Sequence, residues 1–181
     1  MVEELIDILD GNGNKTGVSK TYKETHAKGL WHQTTHVWIY NSKGEILLQK
    51  RSMEMEGWPG LWDASVAGHI SAGETSKQAA LREIFEEIGI KANSKDIKQV
   101  MVRKASDRLK PNYYNNQFSH IYIFNLNKLP EKLQKEEVDA IEFIPISKFE
   151  EELKNPKTAK NFVPHEYIPE LIKIIRKELA K

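Results

Sequence analysis

At 181 residues the chain has room for one domain with a substantial core, because a polypeptide of this length buries most of the surface its unfolded form exposes. Lys+Arg number 27 against 26 Asp+Glu, a formal charge of +1, so no global field gathers a nucleic acid polymer or an anionic membrane, and an anionic ligand must be held locally. Cysteine is absent, which excludes disulfides, thiolate metal sites and thiol nucleophiles. The N-terminus lacks a basic-then-apolar leader and no run of about 18 or more apolar residues occurs, so the expectation is a cytoplasmic protein with no membrane partner.

Residues 3–9 read as a short apolar strand running into Asp10-Gly11-Asn12-Gly13-Asn14, residues that tolerate positive φ and favour a tight reversal. The run HQTTHVWIY, 32–40, is rich in β-branched and aromatic side chains. It is followed by Asn41-Ser42-Lys43-Gly44 and then EILLQKR, 45–51, which predicts a second hairpin, central to the sheet. Gly57-Trp58-Pro59-Gly60 breaks the pattern, and Leu61 to Ala67 reads as one further strand ending at Gly68. Over 76–89, Leu81, Ile84, Phe85 and Ile88 fall at the i, i+3, i+4, i+7 spacing of an amphipathic helix, with Gly89 suited to its C-terminal cap. The segments around 99–102, 118–125 and 140–145 read as strands, and 147–154 and 166–181 as helices. The polar stretch 103–117 reads as a long hairpin loop. With no internal repeat, the expectation is a single α+β domain over residues 1–181.

Chemistry concentrates in Gly68 to Ile90, GHISAGETSKQAALREIFEEIGI. At the helical rotation per residue, Glu83, Glu86 and Glu87 fall within an arc of about 100°, and the apolar positions occupy a comparable arc on the opposite side. An ordinary acidic surface would look similar. However, like charges at i, i+3 and i, i+4 repel by a few tenths of a kcal/mol per pair, a penalty that a hard cation removes. Mg²⁺ takes oxygen ligands and keeps several waters, so two or three carboxylates on one rigid helix, completed by phosphate oxygens, suit it.

The same segment resembles the Nudix box: glycine, five residues, glutamate, seven residues, then Arg-Glu-aliphatic-any-Glu-Glu-any-Gly-aliphatic, met at every position from Gly68 through Glu74 and Arg82 to Ile90. Seven fixed and two aliphatic positions coincide by chance in a chain of this length on the order of one time in ten million. The resemblance implies a Nudix-type α/β/α sandwich with a mixed central β-sheet. It implies Glu83, Glu86 and Glu87 as Mg²⁺ ligands (Mn²⁺ as a substitute), Glu74 and Arg82 orienting them, and Glu83 doubling as general base. The backbone carbonyl of Ala67 would touch the metal, and Gly68 would lie against the substrate. The implied reaction is attack of water on one phosphorus of a small-molecule diphosphate.

The flanking stretch LLQKRSMEMEGWPGLWDASVAGHI, 47–70, is also similar to type I isopentenyl-diphosphate isomerase, a Nudix-fold enzyme that moves a double bond by proton transfer. That likeness implies Arg51, next to Lys50, as a diphosphate clamp. It implies a metal held by histidines resembling His32 and His69, with His26 a third, and by two glutamates that fall at Asn115 and Gln117 here. The isomerase's proton-transfer cysteine corresponds to Ala67, so the reading favours a hydrolase on an isomerase-like frame. An isomerase and a silent metabolite-binding module are the alternatives. Trp58 and Trp62 are candidates to stack on a base or cover an isoprenoid chain. The basic, aromatic stretch with Arg103, Lys104, Arg108, Lys110, Tyr113 and Tyr114 is a candidate cover for an anionic substrate. Oligomeric state stays open.

Overall fold

The computed structural model describes residues 4–181. A first hairpin pairs β1 (Leu5–Leu9) with β2 (Lys15–Thr21), and the predicted reversal lies between them; residue 3 is outside the described residues. A short helix that the sequence did not announce, α1 (Tyr22–Lys28), follows, capped by the Thr21 side chain and ended by Gly29 at φ 61°. The main sheet has β3 (His32–Tyr40) at its centre, paired in parallel with β8 (Tyr113–Asn125), which in turn pairs antiparallel with β7 (Ile97–Lys110). On its other side β3 meets β4 (Glu45–Arg51) only at Tyr40 and Ile46. Below that point the strands part. β4 pairs with β5 (Trp62–Asp63) and with β9 (Val138–Pro145), while β3 pairs with β6 (Val66–His69).

Alternation along the strands loads both faces. Trp38, Tyr40, Ile46, Leu48, Ile121 and Ile123 face Phe149 of α3 (Ile146–Lys154) and Leu171, Ile172 and Ile175 of α5 (Ile168–Leu179). Val37, Ile39, Leu47 and Tyr122 face Ala80, Ile84 and Ile88 of α2 (Ser76–Ile88). The result is the expected α/β/α sandwich around a mixed sheet. A four-residue helix, α4 (Pro156–Ala159), joins α3 to the approach to α5. No helix among the described residues is long and apolar enough to cross a membrane.

Three expectations are corrected. The single strand over 61–67 is two, because the chain kinks at Ala64-Ser65 to change partners from β4 to β3. Gly68 lies inside β6 and does not end a strand. Ser65 fills the kink, its hydroxyl donating to Leu47 O at 2.5 Å and accepting from Ile39 N at 2.8 Å, which staples the two diverging strands. The polar stretch 103–117 is not a loop; β7 and β8 continue as a ladder to a turn at Pro111-Asn112, with Asn112 at φ 59°. Within that ladder Lys104 lies over the Trp31 and Phe118 rings and Arg103 pairs with Glu170, so neither cation covers a site.

Candidate active site

The third correction concerns α2. Thr75 and Gln78 form a reciprocal capping box at its start, and Gly89, at φ 69°, closes its end. Between them the carboxylates do not share one solvent face. Glu83 and Glu87 are buried alongside Ile84 and Ile88, whereas Phe85 is half exposed and Glu86 is exposed. Two carboxylates therefore enter the protein with the apolar stripe.

Arg82 organises them. Its guanidinium grips both oxygens of Glu74 at 3.2 and 3.0 Å, and donates to Glu83 Oε1 at 2.7 Å, Glu86 Oε2 at 2.9 Å and the carbonyl of His69 at 3.0 Å. Glu74 also accepts from Ser71 N, so the loop before α2 is tied to the helix through one side chain. Gly68 leaves room for this: a Cβ there would lie 2.1 Å from Glu83 Oε1. Glu87 reaches past it to accept from Ala67 N at 3.1 Å with Oε1, while its Oε2 is buried with no partner.

Burial pushes the Glu83 carboxyl up to about 7, with Glu137 and Glu86 adding to the rise against the pull of Arg82. Burial, then Glu83 and Glu137, raises Glu87 well above the carboxylate range. Glu137, in the turn before β9, is itself raised by burial and by Glu86. No periodic signal in the sequence marks Glu137; its placement depends on Gln134 N bonding the Glu87 carbonyl and Ser52 N bonding its own carbonyl. Glu83, Glu86 and Glu137 on the cavity wall, with Glu87 behind them carrying an orphaned buried oxygen, form a donor set of hard oxygens short of positive charge. Such a set fits a divalent cation of the Mg²⁺ type.

These groups border a cavity of about 540 Å³. Ala67, Gly68, Arg82, Glu83, Glu86 and Glu137 line one part of it, and Arg51, Trp58, His69 and Tyr113 are also on its wall; Glu87 sits behind. The Arg51 guanidinium is held by the Gly57 carbonyl at 2.9 Å and Asp63 at 3.3 Å. Lys50 is not on the cavity wall, since its strand neighbour Arg51 is and side chains alternate. Trp62 is also outside it, packed against the α3/α5 core.

A second cluster lies at the same cavity. His26 and His32 point Nδ1 at the carbonyls of Tyr114 (2.9 Å) and Leu30 (3.0 Å), which fixes the proton on Nδ1 and the lone pair on Nε2. Ring nitrogens of His26, His32 and His69 all lie within 4.8 Å of one another, with His26 Nε2 3.1 Å from His69 Nε2 and His32 Nε2 buried without a partner. Burial holds His32 down at about 4 and lowers His26 and His69, which favours the neutral form of each that ligates a cation. Asn115 and Gln117 line the cavity beside them.

This fold and box have relatives. The NUDIX domain model matches residues 30–165. An uncharacterised Nudix hydrolase of Listeria monocytogenes is 36% identical over 173 residues, 93% of this chain and 93% of its own length. Nudix hydrolase 3 of Arabidopsis thaliana is 38% identical over 172 residues, 92% of this chain but only 22% of that protein. The isopentenyl-diphosphate Δ-isomerase of Citrobacter koseri is 33% identical over 90 residues, half of each chain. Among solved structures, DR0079 from Deinococcus radiodurans superposes with a TM-score of 0.65 at 17% identity, covering 94% of this chain and 98% of that one, a likeness of fold. The chain belongs to the Nudix family. Within it, the Listeria monocytogenes relative, matched over nearly the full length of both chains, is classed as a hydrolase, and the Citrobacter isomerase likeness is confined to half the chain.

Proposed function

We propose that the chain is a Mg²⁺-dependent pyrophosphohydrolase that cleaves the diphosphate linkage of a nucleoside diphosphate derivative or another organic diphosphate, acting as one catalytic unit in the cytoplasm. The observation that carries this is the buried, partnerless Glu87 oxygen beside Glu83, Glu86 and Glu137, which asks for a cation rather than for solvent. Glu83, Glu86 and Glu87, with the Ala67 carbonyl, would hold Mg²⁺ or Mn²⁺. A divalent ion there neutralises charge developing on the phosphate oxygens and activates water. Glu74 and Arg82 keep the carboxylates in register. Arg51 and Gly68 border the space for the diphosphate, and Glu83 or Glu137 takes the proton of the attacking water.

The isomerase alternative is disfavoured by Ala67, which offers no proton at the position of the isomerase cysteine. His26, His32 and His69 supply a second, nitrogen-donor site suited to a softer cation, but with the amides Asn115 and Gln117 where the isomerase has carboxylates. The test is Glu86→Gln/Glu87→Gln: Mg²⁺-dependent phosphate or nucleotide release over a panel of diphosphates should fall by at least about a thousandfold. Turnover equal to the parent protein would remove the carboxylates from the reaction.

A further inference from the structure

Beside the carboxylates and the three clustered histidines, the cavity wall carries a buried polar relay of which the reaction above uses only Arg51. It runs Trp38–Tyr167–His36 on one side and Arg51–Asp63–His165 on the other. The indole Nε1–H of Trp38 donates to the Tyr167 hydroxyl at 3.2 Å, because indole can only donate. Tyr167 is buried, and its own hydrogen has one acceptor among the described residues, His36 Nδ1 at 2.7 Å. The proton of His36 is thereby placed on Nε2, and His36 lines the cavity with that N–H unpaired among the described residues.

Asp63 receives His165 Nε2 at 2.6 Å, Ala64 N at 2.7 Å and Arg51 Nη1 at 3.3 Å. Burial alone would raise its carboxyl; His165 and Arg51 hold it well below the usual range, so it is ionised and the His165 proton sits on Nε2. His165 Nδ1 has no partner among the described residues, and His165 also lines the cavity. The two rings stand 5.0 Å apart between centroids. Two imidazoles thus stand side by side on one cavity wall, each with a ring nitrogen that has no partner among the described residues, and His36 offers an N–H there. The pair and the carboxylates border one cavity, whose wall includes His36, His165, Glu83, Glu86 and Glu137.

We propose that His36 and His165 form the subsite that selects the group attached to the diphosphate, by reading one hydroxyl that accepts from His36 Nε2–H and donates to His165 Nδ1. This rests on the hydrolase reading and adds to it. The preferred substrate carries a hydroxylated, sugar-like group next to the phosphates, and a hydrocarbon chain is rejected because it leaves both imidazoles desolvated and unpaired. Asp63 and Tyr167 are positioning residues that orient the two rings.

The experiment compares, at saturating Mg²⁺, kcat/KM of the full chain on ADP, 2′-deoxy-ADP, 3′-deoxy-ADP, ADP-ribose and isopentenyl diphosphate, with inorganic pyrophosphate titrated as a competitor. The wild-type protein should lose at least tenfold on removal of one particular hydroxyl and at least a hundredfold on isopentenyl diphosphate. His165→Ala should raise KM for the hydroxylated substrate tenfold or more, leave kcat within about threefold, erase the deoxy discrimination and raise the pyrophosphate inhibition constant by no more than about threefold, the change transmitted through Asp63 to Arg51. Equal kcat/KM for hydroxylated and deoxy substrates, or a preference for isopentenyl diphosphate, overturns the subsite even if His165→Ala does not fold. A loss of pyrophosphate binding in His165→Ala as large as the rise in KM for the hydroxylated substrate overturns it as well. Hydrolysis of these diphosphates without hydroxyl discrimination leaves the hydrolase reading standing; no hydrolysis of any diphosphate overturns both.

Discussion

Replacing Gly68 with alanine tests the site through the space it needs. The added Cβ would lie 2.1 Å from Glu83 Oε1, 2.2 Å from its Cδ and 2.8 Å from Oε2, where real Cβ atoms keep at least 3.0 Å. Oε1 must therefore retreat by about 0.9 Å, away from Arg82 Nη1, which it meets at 2.7 Å. The obstructed atoms are the far end of a flexible side chain, so the fold accommodates the change for about 1–2 kcal/mol, a drop of roughly 2–8 °C in Tm for a chain of this length. Function has no such slack. Displacing a charge-bearing group by close to 1 Å costs on the order of a hundredfold in rate. The assay is kcat/KM for Mg²⁺-dependent diphosphate hydrolysis beside a calorimetric melt, on Gly68→Ala, Glu83→Gln and the double variant. If Gly68→Ala acts through Glu83, the double variant is no worse than Glu83→Gln alone. Wild-type activity in Gly68→Ala, or additive losses, refutes the reasoning.

Two further outcomes follow from burial. Glu87 binds its proton more tightly folded than unfolded, so above the ordinary 4.5 the native state holds a proton the unfolded state has lost, and this contribution to stability falls as pH rises. His32, held at about 4, biases stability the other way, so the term is read as a difference: metal-free Glu87→Gln should melt above wild type at pH 8, with the gap closing towards pH 5, and excess Mg²⁺ should reverse it. A gap that is flat with pH counts against the buried charge. Ser65→Ala orphans Ile39 N–H and Leu47 C=O in the core, an expected loss of about 2–4 kcal/mol in urea unfolding; a loss under about 0.5 kcal/mol would mean that the staple is dispensable.

The elements with a strong local pattern were legible in the sequence. The β-branched and aromatic run HQTTHVWIY gives β3, and the 3.6-residue period with Gly89 gives α2. The box also located Glu74, Arg82 and the three helix glutamates. The orientation of those glutamates was hidden, because the helical wheel ranks side chains by polarity and so turns Phe85 inward and Glu87 outward. The fold does the reverse: the Ala67 N–H gives Glu87 an acceptor role inside, and Phe85 finds Lys91 at the surface. His36 shares the strand parity of His32, which is a signal in principle. Asp63 and His165 meet across 102 residues, and Glu137 reaches the helix glutamates only through the pairing of β4 with β9; no spacing rule reports either.

The kinked segment from Trp62 to His69 explains why the box alone does not make the site. Because β3 and β4 separate after one paired position, the segment that fills the gap presents backbone and side chains to everything around it. Asp63 orients His165, Ala67 N anchors Glu87, Gly68 clears the way for Glu83, and His69 gives its carbonyl to Arg82 and its ring to the histidine cluster. Eight consecutive residues thus touch the metal-type carboxylates, the imidazole cluster and the proposed specificity pair. A shift of this segment moves all three together, so substitutions at Ser65, which anchors it to both strands, should couple affinity for the attached group to metal-dependent turnover rather than alter one alone.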